Sequence, residues 1–470
     1  MTALLGVGGC AADHGLLATV GPDYQPGTPR VAQAWQAPVA HGGEAAQLLR
    51  WWEQFDDPAL LALMSAAQHE SATLAQAAGR IEQARASAVA AGALGIPTLD
   101  ALASASRSAF TFGGPALIRN QVQAGMQSSW EIDLFGGAAR HRQAAAATLA
   151  SSAAAWHDAR VSLAAEVANA YVNYRYCEVQ RGIAQTDADS RSEAARITES
   201  AAKAGFQSPS AAALARATAA DAANGLAQRR TQCEVALKGM VALTAMEEPA
   251  LRSLLAGSSG MLPEPAQFRI DGVPARVIAQ RPDLAQAERD LAAASAQIGV
   301  QEATRFPNLT LSGNILPSRV SVNGGPALTV DTWSIGPTLL LPLIDGGRRR
   351  ANVEAARAQY AALEVAFRAR VRNAVREVEE ALVRLAGANE RTAEVAQTAA
   401  GLKESLEATE VRAKAGFASQ LELLDARRAA LTGEASEAAW RQERVSAWIA
   451  LYRAVGGGWD GELATQTSRR

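Results

Sequence analysis

No run of roughly 18 apolar residues occurs in this chain, so no helix of it is suited to cross a bilayer. That absence does not exclude a membrane. A closed β-barrel spans with strands of about 10 residues that alternate in polarity. No Gly-x-x-x-x-Gly-Lys-Ser/Thr loop is present, so ATP is not spent here. No Gly-x-Ser-x-Gly elbow appears. The five histidines (His14, His41, His69, His141, His157) show no metal-ligand spacing, and no cofactor is expected. Net charge is only −2 and the pI about 6.3, so no basic surface for nucleic acid is implied. Charged residues are 20% and apolar residues 49%, which argues against a disordered polymer.

What is present is a duplication. Ile96-Pro97 recurs as Phe306-Pro307, 210 residues on (97 to 307). Phe135-Gly136-Gly137 recurs as Asp345-Gly346-Gly347, again at 210 (136 to 346). Lys203-Ala204-Gly205-Phe206 recurs as Lys414-Ala415-Gly416-Phe417 at 211 (205 to 416). One structural unit is repeated, which points to an assembly with internal pseudo-symmetry. The repeats are read as residues 51–260 and 261–460. An extended leader of residues 11–50 precedes them, and a tail of 461–470 follows. Each repeat holds a helix, two strands, a Gly-Gly break, a long helix, a Gly-Phe turn and a returning helix.

Asp56-Asp57-Pro58 reads as an N-cap with proline at the first helical position, opening a helix over 58–94 that Pro97 ends. The clearest strand is 120–135. Val122, Ala124, Met126, Trp130, Ile132 and Leu134 share one face; Gln121, Gln123, Gln127, Ser129, Glu131 and Asp133 share the other. A barrel with lipid outside and water inside needs this pattern. A half-buried strand of a soluble sandwich would also show it. In the second repeat Leu309, Leu311, Gly313 and Ile315 alternate with Thr310, Ser312 and Asn314. Beyond Gly324-Gly325-Pro326, the residues Trp333, Ile335, Leu339, Leu341 and Leu343 share a face. Residues 98–112 alternate poorly, although Phe110 and Phe112 lie on one side. Four strands cannot close a barrel, since the smallest have about eight; three chains would supply twelve.

Ala138 to Ala202 contains no proline and only Gly182 as a breaker. As one helix it would run about 65 residues, or roughly 100 Å. Arg348 to Ala415 reads the same way. Shorter returning helices are expected near 209–244 and 419–455, with the helices at 58–94 and 281–304 stacked on them. Alanine dominates, and apolar residues are too sparse for a solid bundle core. A curved wall of helices needs only a thin seam on each flank.

Three cysteines are present. Leu4-Leu5-Gly6-Val7-Gly8-Gly9-Cys10 resembles a bacterial lipobox, with residues 1–10 as part of a signal peptide and Cys10 as the lipidated residue. No basic residue precedes Cys10, so the start is expected to lie inside a longer signal. Cys177 and Cys233 are equidistant from Gly205 and so lie level on an antiparallel helix pair. Export permits a bridge between them; a pair of small buried thiols is the alternative.

Taken in order, several segments resemble the TolC-like outer membrane efflux proteins, in particular the NodT-type lipoprotein branch. They are Gly21-Pro22-Asp23-Tyr24, Trp130-Glu131-Ile132-Asp133-Leu134-Phe135-Gly136, Gln280-Arg281-Pro282-Asp283-Leu284 with Ala287-Glu288, Arg305-Phe306-Pro307, and Leu451-Tyr452-Arg453-Ala454-Val455-Gly456-Gly457-Gly458-Trp459. The resemblance implies an α+β membrane protein that works as a homotrimer. Its twelve-stranded β-barrel would lie in the outer membrane, with a helical α-barrel projecting into the periplasm. It also implies a passive conduit joined through a periplasmic adaptor (membrane fusion) protein to an inner-membrane RND transporter. No catalysis is expected. A periplasmic coiled-coil adaptor or structural lipoprotein is the alternative, although adaptors carry one hairpin and this chain has two.

On that resemblance, Lys203, Gly205, Phe206, Lys414, Gly416 and Phe417 form the hairpin turns that dock the adaptor. A plain helix-capping motif would look the same. Leu421, Asp425 and Arg428 recur on one helical face and correspond to the periplasmic aperture, with Glu422 as an outlying rim member. A solvated Asp–Arg pair is the simpler reading. Arg140, Arg142 and Arg348-Arg349-Arg350 follow the Gly-Gly breaks, where outer-membrane lipid headgroups would attract them; exposed helix-start arginines are the alternative.

Overall fold

The computed structural model describes residues 14–26, 36, 52–111, 113–257, 260–263 and 278–459. Cys10, Phe112, most of the leader and the tail lie outside them. The chain divides into two compact units. One holds residues 1–28, 79–153 and 286–368; the other holds 29–78, 154–285 and 369–470.

The first unit contains the sheet. Strands β1 (Thr98–Phe110) and β2 (Leu117–Ile132) form a hairpin. Strands β3 (Asn308–Ile315), β4 (Ser318–Val322), β5 (Leu328–Val330) and β6 (Trp333–Leu340) come from the second repeat. Among the described residues six strands are present where four were expected, but they make four staves. β3 and β4 pair with β2 in one unbroken antiparallel register, interrupted at Leu316-Pro317 because proline has no N–H for the ladder. β5 and β6 continue that register on the far side. β2 lies between β1 and the β3/β4 stave, which leaves β1 and the β5/β6 stave as edges.

The described leader packs onto this unit. Leu16, Leu17 and Val20 donate backbone N–H groups to the carbonyls of Asp133, Leu134 and Phe135 at 2.8, 2.9 and 3.1 Å. β2 therefore stops at Ile132 rather than 135. Asp133 turns to cap the next helix, accepting from Ala139 N at 2.9 Å. Gly21 adopts φ +85°, and a Cβ there would fall 2.3 Å from the Gly299 Cα. Only glycine permits that approach. Arg140 is buried, with Nε donating to Val20 O and Nη2 to Gly21 O at 3.0 Å each, and it pairs with Asp23 at 2.8 Å. Both readings of Arg140, lipid headgroup contact and exposed helix start, are corrected: it clasps the leader.

The second unit holds the apolar core. Helix α1 (Pro58–Glu70) is capped by Asp57, whose Oδ1 accepts from Ala59 and Leu60 N at 2.9 and 3.3 Å. The expected helix over 58–94 is two helices, since Ser71 is extended (ψ 114°) and its hydroxyl accepts from Leu74 N before α2 (Ala72–Ala93). Helix α3 (Gly137–Lys203) runs unbroken for 67 residues through Gly182. It is followed by α4 (Pro209–Thr244), α5 (Glu248–Ala256) and α6 (Pro282–Ala303). The counterpart of α3 is not continuous. It breaks at Arg391 into α7 (Arg348–Glu390) and α8 (Thr392–Lys414), before α9 (Gln420–Ala454). The core gathers Leu60, Leu63, Tyr171, Leu237, Met240, Leu382, Trp448 and Ile449. Away from it the helices are thinly seamed, and α8 buries no residue.

Candidate channel wall and hairpin tips

Cross-strand partners share a face, so the register assigns every strand residue to one side of the sheet. Met126 lies level with Ala101, Ile315 and Trp333; Trp130 with Leu311 and Pro337; Ile132 with Leu309 and Leu339. These apolar rows cross the sheet on one side. The opposite side carries Gln127 with Asp100 and Asn314, and Glu131 with Thr310. On the apolar side Trp333 is 74% exposed and Ile335 71%. Such a face is stable only against hydrocarbon or another protein. β1 follows the same rule with small residues. Ala101, Ala103 and Ala105 join the apolar side, and Ser104 and Ser106 the polar side.

The two hairpin tips are built alike. α3 ends at Lys203, Gly205 takes φ +81°, and Phe206 N donates to Ala201 O at 2.8 Å. α8 ends at Lys414, Gly416 takes φ +80°, and Phe417 N donates to Arg412 O at 2.8 Å. These are left-handed helix caps. The cap leaves its aromatic ring uncovered: Phe206 is 84% exposed and Phe417 78%. Ser208 and Ser419 then cap the returning helices.

Leu421, Asp425 and Arg428 are exposed on the first turns of α9. The Arg428 guanidinium lies 3.7 Å from the Asp425 carboxylate, and both side chains are at least half exposed, so this contact adds little within one chain. Glu422 acts locally, on the helix start itself. Its carboxylate accepts from Ser419 N at 2.6 Å while its N–H donates to Ser419 Oγ. That hydrogen bond from the backbone holds its pKa below the ordinary value. Behind Asp425 lies a cleft of about 330 Å³ lined by Leu214, Leu421, Leu424 and Arg427. Leu214 is the repeat counterpart of Asp425, and the two repeats meet across this cleft, where Asp187 and Arg191 of the first repeat, paired at 2.9 Å, face Asp425, Arg427 and Arg428 of the second.

Cys177 and Cys233 are joined by a disulfide between α3 and α4, with Cα atoms 5.5 Å apart. The bridge closes a loop of 56 residues. Replacing both cysteines by serine should remove about 2–4 kcal/mol of stability. Thermal unfolding with and without reductant measures this; a midpoint shared by the variant and the oxidised protein would count against it.

Arg281 stands out in the sequence only as part of a motif, and the structure gives it a physical role. Its guanidinium donates to Asp283 at 2.9 and 2.8 Å, to Glu377 at 2.8 Å and to the Ala454 carbonyl at 2.8 Å. It thereby ties the start of α6 to α7 and to the end of α9. Burial opposes its charge, but Asp283 and Glu377 more than offset this and raise its pKa. Asp158 nearby is pushed up, first by burial and then by Asp283, against the pull of Arg281. A carboxyl whose folded-state pKa is raised gives stability below its unfolded pKa and loses it as pH rises through the folded value. Asp158→Asn should therefore raise the melting midpoint at pH near 7, and the gain should vanish below about pH 4. Parallel melts at the two pH values decide it.

A sheet with one face suited to lipid and one suited to water, carried with paired helical hairpins, defines a channel-forming outer membrane protein. Residues 63–245 and 273–457 match the outer membrane efflux protein family, and the chain belongs to that family. It is 32% identical to nodulation protein T of Rhizobium leguminosarum bv. trifolii over 94% of this chain and 94% of that protein. It is 28% identical to outer membrane protein OprJ of Pseudomonas aeruginosa, over 94% of this chain and 93% of that protein. Among solved structures, the outer-membrane channel OprN superposes with a TM-score of 0.81 at 27% identity, covering 94% of this chain and all of that one. The chain is thus an outer membrane channel of a tripartite efflux pump.

Proposed function

We propose that three copies close one twelve-stranded barrel and that the product is a passive, gated conduit for small molecules. The observation that carries this is the four-stave sheet, with opposed apolar and polar faces and two unpaired edges. A lone copy would leave both edges open in a bilayer, where each unmet backbone group costs several kcal/mol. Pairing β1 of one copy with the β5/β6 stave of the next removes both edges. The barrel lies in the outer membrane, the helical hairpins extend into the periplasm, and Cys10 carries the lipid anchor. The energy for transport comes from an inner-membrane RND transporter.

The exposed Phe206 and Phe417 suit docking of a periplasmic adaptor, because each offers an apolar ring on a rigid cap. Phe206→Asp with Phe417→Asp should abolish adaptor copurification yet leave single-channel conductance unchanged. Retained copurification would remove the docking assignment. The channel reading itself is tested by electrophoresis and planar bilayers. Heat-modifiable, SDS-resistant trimers that conduct are expected; a soluble, non-conducting monomer would favour the coiled-coil adaptor reading.

A further inference from the structure

We infer that Arg107 and Arg319 form a binding site, on the outer lip of the barrel, for a doubly phosphorylated glycolipid of the lipid A class. The inference rests on the channel reading above and adds a ligand to it. The register supplies the position. On the apolar side of the sheet the hydrophobic rows run from Ile132 to Ala124, eight residues along the chain (132 to 124). That is about 27 Å of strand, or about 21 Å at a tilt near 40°, close to an apolar band of about 25 Å. Polarity changes immediately beyond it. The next row is Ala105, Val122, Arg319 and Thr329, and the one after is Arg107, Asn120 and Ser321. Both arginines therefore sit on the lipid-facing side just past the hydrocarbon, at the end of the sheet away from the helices.

Both are exposed, and among the described residues neither has an ion-pair partner. Two staves and two residues separate them, so their Cα atoms lie about 12 Å apart. A diglucosamine with a phosphate at each end can span two such cations, each guanidinium forking one phosphate. Asn120 Nδ2 lies 3.4 Å from Ser321 Oγ between them and supplies polar groups for the sugar. Asp331, which follows Val330 on the next stave and is exposed, is the acidic residue nearest the pair along the staves among the described residues and opposes phosphate.

The test uses the purified full-length trimer in detergent, titrated with diphosphoryl lipid A and followed by native mass spectrometry. Arg107→Gln with Arg319→Gln should weaken binding roughly thirtyfold. Monophosphoryl lipid A should bind the unaltered protein more weakly than the diphosphoryl form. Asp331→Asn should tighten binding. A double variant that binds as tightly as the parent overturns the site. Phosphatidylglycerol binding as tightly as lipid A overturns the choice of ligand. Planar-bilayer conductance of the same preparations is expected to be unchanged. A parent preparation that forms no channel would instead overturn the reading on which the site rests, so the two failures are separable.

Discussion

Replacing Arg281 by methionine is expected to cut the yield of folded protein severely. The side chain is 9% exposed and satisfies two carboxylates and the Ala454 carbonyl at the end of α9. Removing one member of a buried ionic cluster leaves its partners uncompensated, at about 3–5 kcal/mol. The lower end applies here, because Glu377 keeps 45% of its side-chain surface in water. Arg281→Lys should recover only part of the loss, since an ammonium cannot fork the Asp283 carboxylate while reaching Glu377. Glu377→Ala alone should cost less than about 1 kcal/mol. Heat-modifiability of membrane extracts reads all three variants. Parent-like yield from Arg281→Met would show that the cluster is dispensable.

Asp425→Ala combined with Arg428→Ala should raise the resting conductance of the channel on the order of tenfold without lowering its stability. The separation of the two readouts follows from the geometry. Within one chain the pair is long, at 3.7 Å, and exposed, so its loss changes stability little. Any effect on conductance must then come from contacts between copies, where three exposed faces of Leu421, Asp425 and Arg428 would meet around the axis. Unchanged conductance would remove the aperture assignment. A fall in melting temperature would show that the pair acts inside the chain instead. Glu422→Ala is a useful contrast. It removes half of a capping box, so it should loosen the start of α9 while leaving the resting conductance as it was.

The chain shows its architecture where side chains set a period and hides it where backbone geometry decides. β2 is legible because Gln, Glu and Asp alternate with Trp, Ile and Met. β1 uses the same alternation written in alanine and serine, whose hydropathy differs too little to register in a single strand. The Gly-Phe turns are legible because glycine accepts the left-handed cap at the least cost, although Ala245 at the end of α4 adopts it too. The break at Arg391 has no comparable signal, since its backbone (φ −85°, ψ −2°) suits any residue and no side chain caps α8. The leader reads in sequence as an extended segment and no more. Its fastening depends on backbone hydrogen bonds and a glycine contact with Gly299, which hydropathy does not encode. Arg140 escapes a sequence reading for the same reason, because its partners are carbonyls on that leader. The Gly-Phe tips and the shared helical face of Leu421, Asp425 and Arg428 can be placed from spacing, whereas the docking and aperture roles proposed for them come from the family likeness. The cluster around Arg281 cannot be placed from spacing, because its members lie far apart along the chain.

The bareness of α8 has a thermodynamic consequence. A helix of 23 residues with no fully buried side chain, packed along α9 through half-covered residues such as Leu402 beside Gly433, would gain the rest of its support from other copies in the proposed trimer. Folding and subunit capture then become one event governed by mass action, and the apparent melting point should climb as the protein is concentrated. Differently tagged populations, once matured, should refuse to exchange partners.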